Sequence, residues 1–121
     1  MTQQTIVIVN TGCANISSVK FALERLGVSV TVSDDPAVIK SADKVFLPGV
    51  GAAGAAMTSI TAKQLIPTLQ GLTQPVLGVC LGMQLMVEQS DEATTGTIDC
   101  LKLLPGHVKR MQAGELRLPH M

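Results

Sequence analysis

Continuous apolar runs alternate along the chain with segments whose apolar residues recur at helical spacing. The runs at 6–9, 28–32, 45–47 and 76–79 are short and apolar, and most are rich in β-branched residues, as buried strands are. Pro48 follows the third run and is expected to end that strand. The pattern therefore predicts four strands in the first two thirds of the chain.

The segments between these runs predict helices. Asn15 can cap a helix whose apolar positions repeat every three or four residues, and Gly27 stands where its C-terminal cap belongs. The sequence at 34–36, Asp-Asp-Pro, predicts a turn or a helix start. Two further helices are expected, one running from Met57 to Leu69 and disturbed by a proline, the other covering 81–89.

The last third of the chain has a weaker pattern. Residues 90–96 are polar and predict a loop, while 101–104 and 107–111 are candidate short strands. Strands that alternate with helices predict an α/β domain, with three layers: an open, mostly parallel sheet and helices on both faces. Ligands of such sheets bind at the carboxyl ends of the strands.

A glycine-rich loop, Gly49 to Gly54, follows the third predicted strand. It matches G-x-G-x-x-G, the pattern of dinucleotide-binding turns. That interpretation is disfavoured, because the loop is not the first βα turn and no acidic residue lies between Asp43 and Glu88 to bind a ribose. Two alternatives stay open: a tight strand-to-helix turn, or a loop whose backbone N–H groups bind an anion or an oxyanion.

Cys80 follows the fourth predicted strand and has a glycine two residues before it and another two residues after it. This is the pattern of a nucleophile elbow, a sharp strand–turn–helix in which close packing of the chain demands small flanking residues. The helix behind such a turn would favour a thiolate. The competing interpretation is a buried cysteine that acts as a small apolar side chain. The glycines favour the nucleophile, whereas Cys13 and Cys100 lack this context.

Composition excludes several classes of protein. Nine basic residues balance nine acidic ones and only 2% of residues are aromatic, so a nucleic-acid-binding function is not expected. No apolar run is long enough for a membrane span, and no basic segment opens a signal peptide. Three widely spaced cysteines without a C-x-x-C pair favour a reducing cytoplasm, with no metal or cofactor.

Four motifs carry a resemblance to a known family. The sequence at 78–84, GVCLGMQ, resembles the nucleophile motif of class I (triad) glutamine amidotransferases, and LPGVG at 47–51 resembles their oxyanion strand. NTGCAN at 10–15 and LPHM at 118–121 resemble the branch that forms glutaminase subunits of imidazole glycerol phosphate synthase. The resemblance implies a flavodoxin-like fold, with residues 1–121 as the N-terminal portion of one amidotransferase domain.

The resemblance also implies roles for particular residues. Cys80 would attack the side-chain amide of glutamine, and the backbone N–H groups of Val50 and Leu81 would bind the oxyanion. The released ammonia would pass to a (β/α)₈-barrel cyclase subunit, the expected heterodimer partner in histidine biosynthesis. Glutamine itself would be held by Gly49, Gly51, Gln84 and Glu88. The last two are four residues apart and are expected on one helix face, for which plain solvated helix surface is the competing interpretation.

The chain departs from the family in one respect. The family completes its triad with a later His-x-Glu, which these 121 residues do not contain, since Lys109 stands two residues after His107 and His120 is penultimate. The polypeptide by itself is therefore expected to have little glutaminase activity. The alternatives are another cysteine-elbow α/β protein, peptidase-like or of stress-response type, and a non-catalytic remnant.

The chain is short of polar residues. Only 15% of residues are charged, 46% are hydrophobic, and the mean hydropathy is +0.38. The absent part of the fold and a partner subunit would both cover apolar surface, because the cores of subunit interfaces are depleted in charge. In isolation the chain is expected to expose an apolar patch and to self-associate.

Overall fold

The central element of the fold is a four-stranded parallel sheet, seen in a computed structural model that describes residues 4–12, 15–93 and 96–109. The strand order is β2-β1-β3-β4. The bounds are β1 Ile6–Val9, β2 Val30–Ser33, β3 Lys44–Gly49 and β4 Val76–Cys80. All four predicted strands are present, and the α/β class with a mostly parallel sheet is confirmed.

Five helices connect or follow these strands in the described residues. Their bounds are α1 Ile16–Arg25, α2 Pro36–Ser41, α3 Ala53–Ala62, α4 Ile66–Gln70 and α5 Leu81–Gln84. The Asn15 side chain accepts the Ser18 N–H at 3.4 Å, and the Asp35 carboxylate accepts the Ala37 N–H at 2.9 Å. Both predicted helix starts are thus formed by side-chain caps.

The chain direction places helices on both faces of the sheet. The connection from β1 to β2 moves one way along the sheet, while those from β2 to β3 and from β3 to β4 move the other way. Right-handed crossovers therefore put α1 on one face and α2 to α4 on the opposite face. The main core lies on this second face, where β1 and β3 meet α2 to α5; examples of its members are Val7, Leu47, Ile39, Ile60, Leu65 and Leu85.

Two expectations about the central region are wrong. Pro48 does not end β3, which continues through it to Gly49; pairing of β3 with β1 ends at Phe46, so the proline lies where only β4 is paired with β3. The helix expected from Met57 to Leu69 is two helices. Gln64, with φ of 57°, interrupts the helical conformation between them. Pro67 occupies the first turn of α4, where a backbone N–H would have no partner within the helix.

A second, small sheet follows α5. It has the order β6-β5-β7, with β5 Gln89–Ala93, β6 Gly96–Asp99 and β7 His107–Val108. The loop expected at 90–96 is therefore wrong over most of its length, and 101–104 is not a strand. The candidate strand at 107–111 is present at its start, and its last two residues lie outside the described part of the chain.

One face of the main sheet is covered unevenly. Ile8, Phe46 and Leu77 are neighbours in the register across β1, β3 and β4. Ile8 is fully buried, Phe46 is half-buried, and Leu77 is 56% exposed. In the described structure the cover of this face thus decreases towards β4, in line with the shortage of polar residues. No described helix is long and apolar enough to cross a membrane.

Candidate active site at the carboxyl edge of the sheet

Cys80 lies at a sharp corner between β4 and α5. It is the last residue of the strand and the N-cap of the helix, and its side chain is exposed. Its backbone has φ of 56° and ψ of −121°, a conformation that costs a non-glycine residue about 1–3 kcal/mol. The expected strand–turn–helix is present, and it holds a thiol at the edge of the sheet where ligands bind.

The glycines on either side of the corner have no room for a side chain. A Cβ at Gly78 would lie 2.6 Å from both the Met83 Cα and the Met86 Sδ. A Cβ at Gly82 would lie 2.7 Å from the carbonyl carbon of Leu47 and closer still to its oxygen. The close packing expected around an elbow is therefore found. Met86 belongs to no motif and was not expected; the small residue at Gly78 was the only sign that something packs there.

The glycine-rich loop lies beside this corner. Gly49 is the register partner of Cys80, and a Cβ at Gly49 would lie 2.8 Å from the Gly82 nitrogen. Val50 comes next and is 48% exposed, and Gly51 has φ of +90°, which glycine adopts without strain. The structure thus brings Gly49, Val50 and Gly51 to the corner that carries Cys80.

Helix α5 carries the other expected residues only in part. Leu81, its first residue, is buried and Gln84, its last, is half-buried. The first N–H groups of a helix have no partner within it, so the Leu81 N–H is available by position. Because α5 has four residues, its dipole is smaller than that of the helix expected over 81–89.

The expectation that Gln84 and Glu88 share a helix face is wrong, because α5 ends at Gln84. The backbone carbonyls of residues 85–88 accept hydrogen bonds from residues 100–104, and the helix does not continue. We name the two segments, 85–88 and 100–104, the clasp. Glu88 is exposed, and its Oε1 accepts the Gly106 N–H at 3.3 Å. The described hydrogen bond of its side chain is thus with the loop before β7.

His107 is the described histidine, and it belongs to the small sheet. Its Nε2 lies 2.8 Å from the Asp91 Oδ1, the same oxygen that accepts the Thr97 hydroxyl at 2.7 Å. These two hydrogen bonds, Thr97 first and His107 second, lower the pKa of the Asp91 carboxyl. The three residues come from β5, β6 and β7, so this cluster links all three strands of the small sheet. His120 lies outside the described residues.

Cys100 differs from Cys80 in its surroundings. It is 4% exposed, and burial raises the pKa of its thiol, as does the nearby Asp99 carboxylate. It lines a groove of about 940 Å³ along α3 and β6, in which neither Cys80 nor Val50 takes part. Among the described residues no group of three acidic, histidine or cysteine side chains could hold a metal ion. Cys13 lies outside the described residues.

The fold and the corner together define an α/β protein that presents a cysteine at the carboxyl edge of a parallel sheet. The chain belongs to the class-I glutamine amidotransferases, whose family model matches residues 7–120.

Among curated relatives the chain is similar to imidazole glycerol phosphate synthase subunit HisH 1 of Vibrio vulnificus, with 52% identity over 100% of this chain and 61% of that relative. It is 55% identical to the HisH subunit of Idiomarina loihiensis over 96% of this chain and 58% of that relative. The HisH subunit of Colwellia psychrerythraea is 53% identical, over 100% and 59%. The chain thus spans about three fifths of the length of the relatives it matches.

Proposed function

We propose that this chain carries the cysteine half of a glutaminase site, which releases ammonia from the side chain of glutamine. The observation that carries the proposal is the exposed Cys80 at φ of 56° on the β4–α5 corner, in a chain of the class-I glutamine amidotransferase family. A thiol held at the edge of the sheet can approach a substrate carbonyl without moving the backbone.

The proposed reaction has two steps. The Cys80 thiol gives up its proton and its sulfur attacks the amide carbon of glutamine, so that a C–S bond forms. The C–N bond then breaks, and the nitrogen gains that one proton and leaves as ammonia. Water then hydrolyses the γ-glutamyl thioester, which gives glutamate and restores the thiol. The N–H groups of Val50 and Leu81 are proposed to bind the tetrahedral oxyanion in each step.

Local geometry supports the two oxyanion donors. Val50 is flanked by glycines, one of them at φ of +90°, so its peptide can rotate to present the N–H. Leu81 follows the nucleophile directly and begins a helix, where N–H groups lack intrahelical partners. Gln84 and Glu88 are proposed contacts of the bound glutamine, the latter with one carboxylate oxygen already accepting the Gly106 N–H.

The proposed ammonia acceptor is a (β/α)₈-barrel cyclase subunit, since the matched relatives are named as subunits of imidazole glycerol phosphate synthase.

The 121 residues contain no His-x-Glu, and the described histidine is hydrogen-bonded to Asp91 in the small sheet. Loss of the base that activates a nucleophile costs several orders of magnitude in rate. We therefore propose that the polypeptide alone releases ammonia very slowly. Copurification of this chain with a cyclase subunit tests the proposed ammonia acceptor.

The nucleophile is tested with a chloroketone analogue of glutamine, followed by peptide mapping in a mass spectrometer. We expect the label on Cys80, slower labelling in the presence of excess glutamine, and no such label in the Cys80→Ser variant. The matched control is Cys100→Ser, which removes a 4% exposed thiol and should leave the labelling unchanged. Equal labelling of Cys13, Cys80 and Cys100 in the folded chain refutes the assignment.

A further inference from the structure

The two segments of the clasp, of which 85–88 directly follows α5, are joined by a row of backbone hydrogen bonds. Each backbone carbonyl from 85 to 88 accepts at least one N–H from the segment 100–104, at distances between 2.8 and 3.0 Å. The pairs are Leu101 to Leu85, Leu103 and Leu104 to Met86, Lys102 to Val87, and Cys100 to Glu88. The segment that follows α5 is therefore fixed by a second stretch of chain.

Met86 is the residue of the clasp that reaches β4. Its carbonyl accepts two N–H groups, at 2.8 and 2.9 Å, and its side chain packs against the core. Its sulfur lies 2.6 Å from the position that a Cβ on Gly78 would occupy, so the thioether covers the Cα of that glycine. Gly78 is two residues before Cys80 and has no side chain of its own to pack.

Strand β4 needs such a support. In the described sheet β4 is bonded to β3 on one side only, and it ends in a residue whose conformation costs about 1–3 kcal/mol. A strained conformation persists only where the surroundings fix it. At Gly78 those surroundings are the Met83 backbone and the Met86 side chain.

We infer that Met86 is a positioning residue for the thiol: fixed by the clasp, it presses on Gly78 and so holds the end of β4 and Cys80 in the conformation that attacks the substrate. That this conformation attacks the substrate rests on the proposed glutaminase function, whereas the packing of Met86 on Gly78 does not. This packing gives the stretch 100–104 a part in the site, although no motif marks it.

The test compares two reagents on Cys80 in the whole 121-residue chain. Iodoacetamide requires only an exposed thiol, whereas the chloroketone analogue of glutamine requires a correctly placed thiol and oxyanion donors. We expect Met86→Ala to slow the chloroketone about tenfold, since small misplacements cost that much or more, and to leave the iodoacetamide rate within about twofold. Met86→Leu refills the space and should restore the rate. Leu26→Ala is the control, because that side chain is 77% exposed at the end of α1 and belongs to neither the corner nor the clasp.

Equal slowing of both reagents, or slowing of neither, overturns the inference. If Met86→Ala does not fold, Met86→Val takes its place, with the same expectation against Met86→Leu. Failure of the proposed function is recognised separately, as a wild-type chain whose Cys80 shows no preference for the chloroketone. The positioning is then decided by NMR: the backbone resonances of Cys80 must shift in Met86→Ala and stay unchanged in Leu26→Ala. Unshifted resonances in Met86→Ala refute it.

Discussion

The substitution Gly82→Ala tests the packing of the corner most directly. The added methyl carbon would lie 2.7 Å from the Leu47 carbonyl carbon and 3.0 Å from that of Pro48, against the usual 3.5–4.0 Å between carbon atoms. Both contacts are backbone atoms of β3, which is paired with β4 at these residues, so no flexible side chain can move away. Helix α5 must move by roughly 1 Å. Overpacking costs about 1–3 kcal/mol and more where the backbone must shift, so we expect at least about 3 kcal/mol.

Urea unfolding followed by circular dichroism measures this loss. With a slope of about 2 kcal/mol/M, a loss of 3 kcal/mol lowers the midpoint by roughly 1.5 M. Gly71→Ala is the matched control, since Gly71 has an ordinary φ of −90° and a Cβ there would have the Pro67 oxygen as its nearest neighbour, at 3.3 Å. A shift of a few tenths of an ångström relieves that contact, so the free energy of unfolding should change by less than about 1 kcal/mol. If both variants unfold at the same urea concentration, the corner is not packed on β3 as described.

Two further predictions concern charge and exposed surface. Hydrogen bonds from the Thr97 hydroxyl, the larger cause, and from His107 hold the pKa of Asp91 below its usual value of 3.8. The ionised carboxylate therefore stabilises the folded chain fully above that pH. The stabilisation is lost as the pH falls through the lowered pKa. The melting temperature of Asp91→Asn should therefore fall less steeply than that of the wild type between about pH 5 and pH 2; parallel curves would contradict the cluster. Leu77 is 56% exposed on β4, so Leu77→Lys should reduce self-association measured by light scattering, because it places a charge within the exposed apolar surface of the sheet. Thr31→Lys, on the opposite edge of the sheet, is the control, and a wild-type chain that is already a monodisperse monomer would refute the expectation.

The small sheet shows how the structure corrects local sequence patterns. Residues 89–93 read as Gln-Ser-Asp-Glu-Ala, without the alternation that predicts a strand. They form β5 because β6 and β7 pair on either side of it, and Ser90 is fully buried between them. A polar strand of this kind is specified by its neighbours, which a single-sequence pattern does not contain.

Local signals in the sequence determined the parts of this protein whose causes are local. Asn15 and Asp35 cap helices through side chains that reach N–H groups two or three residues away, and an apolar run forms β1 at the predicted residues. The corner at Cys80 was also predicted, because the steric demand for Gly78 and Gly82 is written in their identities.

Only the tertiary structure decided where α5 ends and what supports the corner. The helical pattern continues to 89, but carbonyls from 85 onward bond to 100–104, and a hydrogen bond made with a distant segment leaves no trace in local periodicity. The packing of Met86 on Gly78 arises from that same clasp. Pairing with β4 also extends β3 through Pro48. The proline is tolerated there because pairing with β1 has already ended. The residue types fixed the site's chemistry, whereas contacts between distant segments fixed its geometry.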